Sequence, residues 1–149
     1  MQYNDVIIRT AVYKDLEDIF RIELESFKIP YPKKYLVALL ALAGDLFVVA
    51  ETREGIVGYA VGVLRLNDIG HIVSIAVAKR WRRKGIGTRL IRELEKRFKE
   101  KNMRASRLEV RVSNRPAIRL YEKLGYKIID RIENYYPDGE DAYLMFKKL

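Results

Sequence analysis

The sequence predicts an α+β fold, a three-layer arrangement with a mixed, largely antiparallel sheet of about seven strands flanked by about four helices. Three observations predict it. Apolar residues recur at two different periods along the chain, and the segments alternate in the order βααβββαβαββ. One strand–helix–strand unit, residues 72–112, calls for a right-handed parallel crossover inside an otherwise antiparallel sheet. The length, 149 residues with 49% apolar and 33% charged, fits one domain over residues 1–149 whose core needs no staple.

The elements follow in order. Val6-Ile7-Ile8 reads as a short strand. Asp15 to Phe27 sets Leu16, Ile19, Phe20, Leu24 and Phe27 at helical spacing, and Pro30 and Pro32 end that helix before a second begins near Lys33 and runs to Ala43. Leu46–Glu51 and Ile56–Leu66 read as a hairpin turning at Arg53-Glu54-Gly55. Ile72–Ala78 is almost continuously apolar, the pattern of a strand covered on both faces. A basic turn containing glycine, residues 79–87, leads into a helix with Ile86, Leu90, Ile91, Leu94 and Phe98 on one face. Arg107–Val112 alternates strictly, with Leu108, Val110 and Val112 on one side and Arg107, Glu109 and Arg111 on the other. Ser113-Asn114-Arg115-Pro116 starts a short helix with Ala117, Ile118, Tyr121 and Leu124 as its buried stripe, ended by Gly125. Tyr126–Ile132 and Ala142–Phe146 are the last strands, with Pro137-Asp138-Gly139 turning between them.

Composition removes several classes of chemistry. The chain has no cysteine and one histidine, His71, so disulfide scaffolds, thiolate or multi-histidine metal centres and a cysteine nucleophile are excluded. No basic-then-apolar leader is visible at Met1–Asp5, and the longest apolar run, Tyr35–Ala43, is far short of the ~18–20 residues that cross a bilayer. The expectation is a soluble, cytoplasmic protein without membrane contact. A net charge of +9 points to a polyanionic partner without saying which.

The stretch richest in chemistry is Val73-Ser74-Ile75-Ala76-Val77 followed by Arg82-Arg83-Lys84-Gly85-Ile86-Gly87-Thr88. A strand ends, a turn with alternate glycines follows, and a helix begins with free N–H groups and basic neighbours, which suits a pyrophosphate. It is neither a P-loop nor the dinucleotide fingerprint, because no Gly-Lys-Ser/Thr follows and Leu90 stands where the third glycine would be. From these residues alone, a solvated basic turn is the other reading.

The R-x-x-G-x-G pattern after Ile-Ser-Ile-Ala-Val resembles the acetyl-CoA motif of the GNAT N-acetyltransferases, and the element order resembles that family over the whole chain. Leu108–Asn114 with Ala117–Tyr126, and Asn134–Ala142, are similar to the ribosomal-protein alanine N-acetyltransferases of bacteria and to the catalytic subunits of archaeal and eukaryotic N-terminal acetyltransferases. The resemblance implies acetyl-CoA as cosubstrate and no metal. It implies a pantetheine arm along Ile75, Ala76 and Val77, a pyrophosphate on Arg82, Arg83, Lys84, Gly85, Ile86, Gly87 and Thr88, and Asn114 near the thioester.

Acetylating an α-amine with a pKa near 7.7–8.0 asks for only a modest general base, and the leaving thiolate needs a proton. Glu109 stands where the family places a catalytic carboxylate; read alone, it is equally a solvated glutamate paired to Arg107 or Arg111, which lower its pKa. Tyr121 has the spacing of the family's proton donor, and otherwise reads as a core aromatic. His71 resembles an auxiliary base of some archaeal relatives, or is a structural histidine. Pro30, Tyr31, Tyr135 and Tyr136 are the expected walls of a substrate groove, although the tyrosines also suit strand packing. The eukaryotic-type Leu-Pro-Glu-Asn-Tyr segment is replaced by Phe27-Lys28-Ile29-Pro30-Tyr31-Pro32, closer to the bacterial type, with Glu25 the nearby carboxylate.

The expected activity is transfer of acetyl to the α-amino group of protein N-termini, ribosomal proteins among them, by direct attack in a ternary complex. The alternatives are acetylation of a small amine or a lysine side chain, a basic nucleic-acid-binding module, and an acetyl-CoA-binding subunit with little catalysis of its own. Residues 79–104 hold twelve basic and three acidic side chains, so the whole excess charge falls on the turn and helix expected to meet the cofactor. Nucleic acid then remains only as a ribosome-surface contact.

Overall fold

A computed structural model describes residues 5–149; residues 1–4, on which the leader reading chiefly rests, lie outside the described residues. Its elements are β1 (Ile7–Thr10), α1 (Leu16–Ser26), α2 (Lys33–Ala43), β2 (Phe47–Thr52), β3 (Gly55–Arg65), β4 (Ile69–Val77), α3 (Ile86–Glu100), β5 (Ala105–Arg111), α4 (Arg115–Lys123), β6 (Lys127–Ile132) and β7 (Ala142–Lys148). The order is the one the sequence predicts. The boundaries move by one to three residues. β1 starts after the buried Val6, and α1 starts at Leu16 because Asp15 belongs to a 3-10 turn, its carboxylate taken by Arg9 at 2.8 and 3.0 Å and by the Val12 amide at 2.8 Å.

The largest shift is in β4, which begins at Ile69 rather than Ile72. Gly70 looks like a breaker in the sequence. In the fold it is the place where the Phe98 ring lies on the sheet: a Cβ there would sit 2.4 Å from the ring. Phe98 is fully buried, so strand glycine and helix aromatic are one packing unit.

The strands lie in the order β1-β2-β3-β4-β5-β7-β6, antiparallel at every junction except β4–β5. β3 shows how the helices divide between the faces. Tyr59 reaches Glu23 on α1, whereas a Cβ on the preceding residue, Gly58, would meet Leu90 and Ile86 of α3. The core stripe of α3 is the predicted one, Ile86, Leu90, Ile91, Leu94 and Phe98, all buried.

Two irregularities shape the centre of the sheet. Val61 pairs with Ser74 and Gly62 with Ile72, which leaves Val73 as a bulge in β4. The parallel pairing of β4 with β5 runs only from Ile69–Ala105 to His71–Arg107. Both strands continue past it, so beyond His71 they part and leave a gap between β4 and β5.

Candidate active site

The far half of β4 forms one wall of that gap. The Ala78 amide donates to Val57 O at 2.7 Å, which makes Val77–Gly58 a non-hydrogen-bonded pair of the antiparallel ladder. Alternation then turns the main-chain groups of Ile75 and Val77 toward the gap and those of Ala76 toward Tyr59. Of the three residues expected along the cofactor, Ile75 turns both its main-chain groups and Val77 its amide to the open edge, the Val77 carbonyl being taken by Arg82, and Ala76 turns neither. Arg82 is spent locally: Nε donates to Val77 O at 2.8 Å and a terminal nitrogen to Ser26 Oγ at 3.1 Å. Its guanidinium braces the end of β4 against α1.

The turn after β4 bends through two left-handed residues, Arg83 at φ 60° and Gly85 at φ 81°. Gly85 is the N-cap of α3 and brings no side-chain cap, so the amides of Ile86, Gly87 and Thr88 face outward at the positive end of a 15-residue helix. Ile86 contributes only its amide, since its side chain is in the core. A Cβ on Gly87 would lie 3.6 Å from Leu120, which sets α4 against the start of α3. The Lys79 amide is held by Glu25 Oε1 at 2.7 Å; Glu25 therefore ties α1 to this turn.

On α4, Asn114 is the N-cap, its Oδ1 accepting from the Ala117 amide at 3.3 Å. Tyr121 is buried, edge-on to Tyr126 at 6.3 Å, and burial pushes its hydroxyl up to about 12. That phenol stays protonated at any working pH.

The other wall carries the carboxylate. Glu109 lies on β5, and its Oε1 accepts from two groups: His71 Nε2 at 2.7 Å and Tyr135 Oη at 3.3 Å. Its Oε2 faces the Arg107 Nε at 3.8 Å, and that buried Nε has no hydrogen-bond partner among the described residues. Burial is the largest influence on Glu109 and pushes its pKa up; the hydrogen bond from His71, the charge of Arg107 and the Tyr135 hydroxyl oppose it, and the net direction is down. Arg107 pairs as expected. Arg111 does not: it binds Asp138 and Glu140 and covers the Tyr136 ring at 4.1 Å. Glu109 is also no solvated side chain, being only 11% exposed.

Tyrosines surround this carboxylate. Tyr135 and Tyr136 stack edge-to-face at 4.9 Å, and Tyr31 and Tyr35 lie 4.6 Å apart. Tyr31, next to Pro30 on the loop before α2, is pushed up to about 12, first by burial and then by Tyr35, Tyr135, Glu23 and Glu109 around it. Of the expected groove residues, Tyr135 touches Glu109, Tyr31 and Tyr136 lie near enough to feel its charge, and Pro30 stands beside Tyr31 on its loop.

Two contributors were missed by the sequence reading. Glu23, 1% exposed, accepts from the Tyr31 amide at 2.8 Å and from Tyr59 Oη, which also contacts Ser74 Oγ at 3.1 Å. It pins the groove loop to β3 and β4. Arg65 Nε donates to His71 Nδ1 at 3.1 Å. The signal for Arg65 was in the hairpin: with the turn at residues 66–68, Arg65 is a diagonal cross-strand neighbour of His71.

Comparisons with known proteins agree with this arrangement. A sequence model of the acetyltransferase (GNAT) family matches residues 16–126. The chain is 43% identical over 144 residues to an uncharacterized N-acetyltransferase of Methanocaldococcus jannaschii, covering 96% of this chain and 92% of that protein. It is 42% identical over 150 residues to an N-alpha-acetyltransferase of Sulfurisphaera tokodaii, covering 93% and 90%. The crystal structure of Ard1 from Thermoplasma volcanium superposes with a TM-score of 0.94 at 33% identity, over 97% of this chain and 98% of that one.

Proposed function

The chain belongs to the acetyltransferase (GNAT) family, and from that membership we propose that it is an N-acetyltransferase domain that uses acetyl-CoA to acetylate the α-amino group of protein N-termini in the cytoplasm. The single observation that carries the reading is the gap between β4 and β5, with an anionic Glu109 where the strands begin to part and an uncapped, basic helix N-terminus beyond the far end of β4. These residues fit acetyl-CoA: the open main-chain groups of Ile75 and the Val77 amide suit an amide-bearing arm, and the amides of Ile86, Gly87 and Thr88 suit a pyrophosphate. Bound there, acetyl-CoA supplies the acetyl thioester.

The protein's own groups do the rest. Tyr31, Pro30, Tyr135 and Tyr136 hold the entering N-terminus above Glu109. Glu109 removes the ammonium proton, directly or through water, and His71 supports that carboxylate through their hydrogen bond. The Val77 amide, on the open edge, donates toward the oxygen where negative charge develops. Tyr121 delivers a proton to the departing sulfur, and Asn114 stands at the start of its helix to contact the cofactor. Ribosomal proteins are among the acceptors this reading proposes.

Thiol release with peptides beginning Ser, Ala and Met-Leu, and with a ribosomal-protein N-terminal peptide, tests the assignment. Turnover on these peptides is expected. Turnover on free small amines with none on peptides would overturn it. In the same assay Glu109→Gln is expected to lower kcat/KM by about 10²–10⁴, the size of a lost general base.

A further inference from the structure

The two ring nitrogens of His71 are both engaged, and their partners differ in kind. Nδ1 lies 3.1 Å from Arg65 Nε, and Nε2 lies 2.7 Å from Glu109 Oε1. A guanidinium N–H donates in every protonation state and can accept nothing. Nδ1 is therefore the acceptor of that bond and carries no proton. The proton of the ring sits on Nε2, aimed at the Glu109 carboxylate, which as an anion can only accept. The bonds run in one direction: Arg65 Nε–H to Nδ1, then Nε2–H to Oε1.

We propose that Arg65 is a positioning residue that fixes the tautomer of His71, making the imidazole a hydrogen-bond donor to Glu109 and not a base of the reaction. The ring has no lone pair left for a substrate proton: Nδ1 is filled by Arg65, and Nε2 is protonated. This replaces the auxiliary-base role expected from the sequence. It also decides between the oxygens of Glu109. Oε1 is occupied by His71 and Tyr135, whereas among the described residues Oε2 has only the Arg107 Nε, 3.8 Å away. The ammonium proton passes to Oε2, and the nitrogen keeps the electron pair it needs for attack. The charged and titratable groups around His71 are Arg65 from β3, Glu109 and Arg107 from β5, and Tyr135 from the loop before β7. The catalytic consequence rests on the N-terminal acetyltransferase reading; the tautomer does not.

The chain has a single histidine, so a long-range ¹H–¹⁵N correlation spectrum of the ¹⁵N-labelled full chain reports on His71 without assignment. Nε2 is expected to be protonated and Nδ1 bare at the assay pH, and Arg65→Met, which frees Nδ1 of its donor, is expected to move the Nδ1 resonance toward that of a protonated ring nitrogen. A protonated Nδ1 in the unaltered protein, or an Nδ1 resonance indifferent to Arg65→Met, would overturn the proposal. Kinetics supply the second arm. His71→Gln keeps an amide donor for Glu109 and a carbonyl for Arg65, so it is expected to cost no more than about tenfold in kcat/KM, the lower end of what an altered supporting shell costs. His71→Ala, which keeps neither, should cost more. A His71→Gln loss of about 10² or more with an unchanged KM for acetyl-CoA would show that the imidazole itself is the base. Absence of turnover on every peptide by the unaltered protein would count against the acetyltransferase reading and would leave the spectrum as readable as before.

Discussion

Glu109 and Tyr121 are pushed in directions that suit opposite tasks. Burial alone would make Glu109 a poor anion, but His71, Arg107 and Tyr135 hold its pKa below the usual carboxylate range. With a depressed pKa the group titrates below the ordinary glutamate value of about 4.3 and is ionised throughout the neutral range. No acid limb near neutrality can then belong to it. The rise of kcat/KM with pH is expected to follow the α-amine of the peptide, near 7.7–8.0, and to move when that amine's pKa is changed. A limb fixed in position across such peptides would contradict the assignment. Tyr121 shows the converse: burial keeps the phenol protonated, ready to give a proton. Among the described residues no hydrogen bond reaches its hydroxyl. Tyr121→Phe should therefore leave thermal unfolding nearly unchanged and lower kcat by about 10² or more. Equal turnover at equal stability would remove it from the mechanism.

The working geometry depends on where elements are irregular. The bulge at Val73 and the early end of β4–β5 pairing open the sheet, and Phe98 seals the paired half. Gly70 and Gly62 have no side chain because that ring lies over them. Gly70→Ala is expected to destabilise the fold by about 1–3 kcal/mol through overpacking, read as a lower melting temperature, with Phe98→Leu in the same chain recovering part of the loss. A neutral Gly70→Ala would contradict this packing. The loop joining α1 to α2 is held from behind by Glu23, whose pKa burial raises against the hydrogen bonds of Tyr59 and Tyr31. A raised pKa means that ionising Glu23 weakens the fold as pH climbs through it. Glu23→Gln cannot ionise, so its melting temperature should gain on that of the unaltered protein between acid and neutral pH. A difference that stays constant with pH would contradict a buried, raised carboxyl.

Over the whole molecule, apolar periodicity was enough to recover the element order, because each strand and helix packs on a continuous core and shows its period plainly. Edges were less legible. Gly70 reads locally as a break, and only its contact with Phe98, far along the chain, makes it part of β4. The cofactor turn was visible because its residues are contiguous. The Glu109–His71–Arg65 chain was not, since it joins three strands, and each residue read alone is an ordinary charged or polar side chain. Glu23 sits in an otherwise normal amphipathic helix and betrays its burial only through Tyr59 and Tyr31. The positive excess falls on the turn before α3, that helix and the short loop after it, so the charge of the molecule is concentrated on the segment that opens at the proposed acetyl-CoA site.

The central claim is that the acceptor is a protein α-amine. The most direct measurement offers one peptide that carries both a free N-terminus and an internal lysine, with acetyl-CoA, and locates the acetyl group by fragment mass. Acetyl on the N-terminus, with the lysine unmodified and no product from the N-terminally blocked peptide, is the predicted result. Acetyl on the lysine, or equal modification of the blocked peptide, would contradict it.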